Sequence, residues 1–161
     1  MNLVLIGLPG AGKTTVGKAL ARTLQMPFAD MDDAVVEIAG MSIPEIFASE
    51  GEKWFRQQET LCLRKLLERD GYVIATGGGV VLAEENRQAL RSANVVFLDR
   101  SAENIMLTFQ ADGRPVMEDH TLQQLSHERR RFYLDLADLT VGEDEIDREV
   151  EMIADWWRKQ K

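Results

Sequence analysis

Eight residues near the start of the chain, Gly7-Leu8-Pro9-Gly10-Ala11-Gly12-Lys13-Thr14, have the spacing G-x-x-x-x-G-K-[ST]. Glycines there let backbone N–H groups turn toward an anion with no Cβ in the way. Lys13 is placed to reach the β- and γ-phosphates of a nucleotide, and the Thr14 hydroxyl to ligate Mg²⁺. This is the phosphate-binding P-loop. A second set of chemical groups follows in order: the carboxylates Asp30, Asp32 and Asp33, then Thr76-Gly77-Gly78-Gly79. A triple glycine lets a flat polyol lie against the main chain. An aspartate can orient a hydroxyl and accept its proton.

The elements between these residues are legible from period and punctuation. Leu3-Val4-Leu5-Ile6 is an apolar run, as a strand buried on both faces should be. After the glycine loop, Val16, Leu20 and Leu24 recur every four residues, which predicts an amphipathic helix whose N-terminus faces the anion. Residues 28–30 read as a second strand and 34–39 as a helix stopped by Gly40. Ser42 and Glu45 form a capping box for a short helix, and a long helix is expected over 53–69 with Phe55, Leu61, Leu63, Leu66 and Leu67 on its apolar side. Strands at 72–75, 95–98 and 139–141 alternate with helices at 83–91, 101–109 and 122–136. A closing helix carries Ile146, Val150, Ile153 and Trp157. Alternation throughout predicts a three-layer α/β fold of the P-loop nucleotide-hydrolase type. It has a five-stranded parallel sheet, helices on both faces and a short lid at about 110–120. Residues 1–161 read as one domain.

Composition narrows the partners. A net charge of -8 excludes a general nucleic-acid or anionic-membrane binder, so any anionic ligand must meet a local cluster of positive groups. No stretch approaches the ~20 apolar residues of a membrane span. Met1 leads straight into a strand, without the charged region of a signal peptide. The single cysteine, Cys62, lies among leucines and reads as a buried structural thiol in a reducing compartment. The expectation is a cytoplasmic monomer.

Seven blocks in order resemble the shikimate kinase family, small P-loop kinases of aromatic amino-acid biosynthesis. They are the P-loop; Asp30-Met31-Asp32; G-M-S-I-P-E-I-F at 40–47; Phe55-Arg56-Gln57-Gln58-Glu59; I-A-T-G-G-G at 74–79; Arg114-Pro115; and Glu128-Arg129 ahead of Phe132-Tyr133. The resemblance spans about residues 2–157. It implies that Gly10, Ala11, Gly12, Lys13, Thr14 and Thr15 hold the ATP phosphates, with Thr14 on Mg²⁺ and Asp30 reaching the metal through water. It implies that Asp32 binds the reacting hydroxyl, that Arg56 and Arg129 bind the shikimate carboxylate, and that Gly78 contacts the ring through its backbone. Arg114 would come down on the phosphates from the lid.

Some features read as structural. Arg130 and Arg131 are a solvated, salt-bridged helix face, whereas Glu59 aims Arg56. His120 and His127 are surface residues, and Trp156 and Trp157 pack the last helix. Val95-Val96-Phe97-Leu98-Asp99 has the form of a Walker B strand, but Asp30 already stands beside the P-loop, so Asp99 is expected to be structural. On the base side of the nucleotide the chain departs from the family: Thr108 stands where an arginine is frequent, and 142–147 contains no proline.

Three other functions fit parts of the pattern. A kinase of another hydroxy acid, such as gluconate, would use the same arginines. A weakly active nucleotide-binding module should lack Lys13, Asp32 or Arg114, and all three are present. A nucleoside monophosphate kinase should have an arginine-rich lid, and here the lid holds Arg114 alone.

Overall fold

Strand β1 (Leu3–Ile6) is apolar at every position and buried at every position. Such a strand needs cover on both faces, so it belongs at the centre of a parallel sheet. In the computed structural model, which describes residues 1–111, 119–142 and 145–160, it does. Its sheet also contains β2 (Phe28–Asp30), β3 (Val73–Ala75), β4 (Asn94–Leu98) and β5 (Leu139–Val141), in the order β2-β3-β1-β4-β5. All four pairings are parallel, with Val4 opposite both Ile74 and Val95, Ala29 opposite Ile74, and Phe97 opposite Thr140.

The order dictates where the helices go. The crossover from β1 to β2 runs one way along the sheet, and the later crossovers run the other way. With right-handed connections, α1 (Lys13–Leu24) must cover one face and the later crossover helices the opposite face. The first of these later helices are α2 (Met31–Ala39), α3 (Ile43–Ser49) and α4 (Glu52–Leu67). They are followed by α5 (Glu84–Leu90), α6 (Ala102–Ala111) and α7 (Asp119–Leu136). The closing helix α8 (Ile146–Lys159) returns to pack on α1, burying Val150, Ile153, Ala154 and Trp157, with Trp156 half-buried beside them. The result is three layers, as the alternation predicts.

Because the strands are parallel, everything that follows a strand gathers at one edge. Residues 7–12 follow β1, Asp30 ends β2, residues 76–79 follow β3 and Asp99 follows β4. Helices α2, α3 and α4 stand over part of this edge. They share a small core of their own, formed by Val35, Ile46, Phe55 and Cys62 and separate from the main core around the sheet. Ser42 caps α3 as the sequence indicates: its Oγ accepts from the Glu45 amide at 3.3 Å and donates to the Glu45 carboxylate at 2.9 Å.

Two helix starts differ by three residues, and one helix face differs, from the sequence reading. Helix α2 starts at Met31 rather than Ala34, because the Asp30 carboxylate caps it and Asp32 and Asp33 suit a helix N-terminus. Helix α7 starts three residues early, at Asp119. Leu61 is exposed, because the buried stripe of α4 runs through Phe55, Glu59, Cys62, Leu63 and Leu66 and leaves position 61 outside it. No helix among the described residues is long and apolar enough to cross a membrane.

Candidate active site

The P-loop carries Gly10 and Gly12 in left-handed backbone conformations, with φ of 81° and 95°. Gly10 is also pressed against α6: a Cβ there would lie 2.5 Å from the Phe109 ring. The N-cap of α1 is Gly12, so no side chain caps the helix, and its first turn contains no acid. Its leading amides and positive end are therefore open to an anion. Lys13 is buried and donates to the carbonyl oxygens of Gly7 at 2.5 Å and Leu8 at 2.9 Å. Burial lowers its pKa to about 8, against the pull of Asp32 and Asp30, and Arg129 pushes the same way as burial. Thr14 and Thr15 are exposed on the first turn, and Ala11 is buried.

Asp30 joins three elements. One carboxylate oxygen accepts from the amides of Asp32 at 2.9 Å and Asp33 at 3.2 Å, and the other accepts from the Thr14 hydroxyl at 2.6 Å. The end of β2, the start of α2 and the start of α1 are thus tied at one carboxylate. Asp32 sits one residue into α2. Burial, with Asp30 and Asp33 nearby, raises its pKa, while Lys13 and Arg56 oppose the shift. Asp32 therefore lies within electrostatic reach of both the P-loop lysine and an arginine.

Arg56 projects from α4 between two carboxylates, with Nη1 3.0 Å from Glu59 and Nη2 3.6 Å from Glu52. Glu59 is almost fully buried; desolvation raises its pKa, opposed by Arg56. On α7, Arg129 is also buried. The Nε groups of Arg56 and Arg129 are both buried and make no hydrogen bond. A buried unsatisfied donor costs on the order of 1–3 kcal/mol, so two such donors among described side chains mark where an acceptor belongs.

The triple glycine is explained by contacts the sequence does not reveal. At Gly77 a Cβ would lie 2.9 Å from a Glu59 oxygen and 3.0 Å from an Asp32 oxygen. At Gly78 it would lie 2.7 Å from Pro9 of the P-loop, and at Gly79 it would overlap the Arg56 guanidinium. The glycines make room for neighbours from other elements: α4 and α2 at Gly77, the P-loop at Gly78 and α4 again at Gly79. The Gly78 carbonyl accepts from the Tyr133 hydroxyl at 2.6 Å. Sequence reasoning gave Tyr133 no role of its own.

The structure therefore brings together Lys13, Thr14, Asp30, Asp32, Arg56, Gly78 and Arg129. Arg114 lies outside the described residues. Thr108 lines a groove of about 520 Å³ with Arg100, Asn104, Leu107, Glu145, Ile146 and Asp147, so the base-side departures noted in the sequence meet in one place. Asp99 pairs closely with Arg130, which lies 5.8 Å over the Phe97 ring, and this satisfies the structural reading of both. Arg131 stacks on Phe132 at 4.7 Å, and His127 is exposed.

The family model described as shikimate kinase matches residues 9–156. The chain belongs to the shikimate kinase family. Shikimate kinase of Pseudomonas syringae pv. tomato is 41% identical over 150 residues, 89% of this chain and 87% of that protein. Among solved structures, shikimate kinase from Acinetobacter baumannii in complex with shikimate superimposes with a TM-score of 0.90. It is 33% identical, and the match covers 99% of this chain and 94% of that one. The enzyme from Aquifex aeolicus gives 0.83 at 36% identity, covering 99% and 98%. A gluconokinase from Sinorhizobium meliloti, 16% identical at a TM-score of 0.59, shares the fold alone. Membership makes this chain an ATP-dependent small-molecule kinase built as a five-stranded P-loop domain.

Proposed function

We propose that this kinase transfers the γ-phosphoryl group of ATP to the 3-hydroxyl of shikimate, in the route to chorismate, and does so in the cleft between the P-loop and helices α2, α4 and α7. The observation that carries the substrate assignment is the pair of buried, unpartnered Nε groups on Arg56 and Arg129. Two guanidinium groups across one cleft fit a small acid and agree with the family. The gluconate alternative has only a shared fold behind it.

The P-loop amides of residues 10–15 and Lys13 would hold the phosphates. In its present position Lys13 bonds loop carbonyls, and a bound phosphate would exchange those bonds for a charge-assisted one. Asp32 would orient the shikimate hydroxyl and take its proton as the oxygen bonds to the γ-phosphorus and the bond to the β-phosphate oxygen breaks. The raised pKa of Asp32 makes it a better proton acceptor than an ordinary carboxylate. Gly78 would lie against the ring, and Arg114 would neutralise charge on the phosphates. Thr14 and Asp30 would hold Mg²⁺, Asp30 through water. Hard oxygen donors 2.6 Å apart beside the phosphate site fit that ion. When bound, it supplies charge neutralisation of the phosphoryl oxygens. We further place the enzyme in the cytoplasm as a monomeric domain spanning residues 1–161.

The test is ADP release, coupled to an optical readout, with Mg²⁺-ATP and a panel of hydroxy acids. Turnover on shikimate and not on gluconate is expected, and the reverse would sink the assignment. Asp32→Asn should lower kcat by 10²-fold or more, on the order of general-base catalysis, with ATP binding kept. Arg114→Ala should lower kcat more than shikimate affinity.

A further inference from the structure

The glycine loop has three carbonyl groups, and each is engaged. Gly77 accepts from the Val80 amide at 3.2 Å and Gly79 from the Leu82 amide at 3.1 Å, both within the loop's own turn. The Gly78 carbonyl is held from another element, by the Tyr133 hydroxyl at 2.6 Å. The tyrosine ring is itself fixed: it is 1% exposed, and its centroid lies 5.0 Å from that of Phe97 on the central sheet. Tyr133 also stands one helical turn after Arg129 on α7, and the arginine's charge acts directly on the phenol. One side chain therefore touches both the middle of the glycine loop and the surroundings of the buried arginine.

The peptide bond between Gly78 and Gly79 is trans, as are all those described. In a planar trans peptide the C=O and the following N–H point in opposite directions. Holding the Gly78 carbonyl toward α7 therefore turns the Gly79 N–H away from it. A loop of three glycines has no side chain to fix this plane and the highest conformational freedom a chain can have. The hydroxyl of Tyr133 supplies what the loop lacks.

We propose that Tyr133 is a positioning residue for the acidic substrate: its hydroxyl locks the peptide between Gly78 and Gly79 to α7, so that the glycine loop and Arg129 form one preorganised wall. This rests on the reading of Arg129 and Gly78 as substrate-binding. Burial raises the phenol pKa to about 12, so the hydroxyl stays a donor at all working pH values. The role differs from that of Phe97, which holds the ring and leaves the hydroxyl's bond alone.

The experiment compares Tyr133→Phe, Phe97→Leu, Arg129→Lys and the double variant Tyr133→Phe/Arg129→Lys in the full chain, by steady-state kinetics and thermal melting. Tyr133→Phe should raise the shikimate KM about ten-fold, the scale of one buried hydrogen bond, with the ATP KM nearly unchanged and the melting temperature lower by about 2–4 °C. Phe97→Leu should lower the melting temperature and leave the shikimate KM near wild type. The double variant should cost less than the product of the two single effects, because the two residues act as a unit. An unchanged shikimate KM in Tyr133→Phe, or an equal rise in Phe97→Leu, overturns the proposal while Arg129→Lys still raises KM. An unchanged KM in Arg129→Lys overturns the substrate site itself, and the proposal with it.

Discussion

Burial and mutual charge set the working range of the catalytic residues. In the proposed role Asp32 must be ionised to accept a proton, and its pKa is raised, so kcat/KM should fall on the acid side at a higher pH than for an ordinary aspartate. In its proposed role Lys13 must be charged to meet phosphate, and its pKa is lowered to about 8, so kcat/KM should also fall on the alkaline side near that value. Bound phosphate favours the charged lysine, so in the kcat profile the alkaline limb should move up. A pH–rate series on both parameters checks this, and an alkaline limb that stays in place would separate Lys13 from the nucleotide. The same shifts act on stability. Asp32 and Glu59 hold their protons more tightly in the fold than in the unfolded chain, so their ionisation lowers stability as pH rises past the unfolded carboxylate value. Glu59 has a second use, as the buried partner of Arg56. Glu59→Ala should cost about 2 kcal/mol in urea unfolding, low for a broken buried pair because Arg56 is partly exposed, and should raise the shikimate KM.

The elements matter through the contacts they allow at the edge of the sheet. Gly79 has the Arg56 guanidinium where a side chain would be, so Gly79→Ala should displace that arginine. The expected result is a shikimate KM raised about ten-fold with the ATP KM little changed, on the scale of one charge-assisted hydrogen bond. Equal effects on both substrates would mean that the loop is simply misfolded. This contact also shows where sequence reading stops. The P-loop, the five strands and the helix order are carried by local period and turn residues, which one chain displays in full. Asp30 at the end of β2 and Arg56 on α4 were legible because motif spacing named them. The division of labour among Gly77, Gly78 and Gly79 was not, since it depends on Pro9, Glu59 and Arg56 arriving from distant positions. Tyr133 was invisible for the same reason: nothing nearby in the chain says that its hydroxyl meets a carbonyl 55 residues away. The early start of α2 was missed because the Asp30 cap also reads as part of a strand end.

At the scale of the molecule, the cleft has one wall built on the sheet and another built partly on α2, α3 and α4. The small core of those three helices holds Val35, Ile46, Phe55 and Cys62, whereas the sheet's core runs through every strand but the edge strand β2. Local opening follows the amount of buried apolar contact. Amides of α2 and α3 should therefore exchange hydrogen for deuterium faster than those of β1 and β4, and shikimate should slow them more than ADP does. Mass-resolved exchange checks this, and uniform protection across both regions would contradict it. The separate small core also bears on how such an enzyme diversifies. Residues 31–67 carry Asp32, Arg56 and Glu59 on a scaffold that has a small core of its own, while Met31, Leu63 and Leu66 anchor it in the main core. Mutations on the small-core side of this segment, away from Met31, Leu63 and Leu66, can retune it for a different acid and leave the packing beneath the P-loop in place. A kinase arranged in this way can change what it phosphorylates while inheriting unaltered the machinery that handles its phosphate donor.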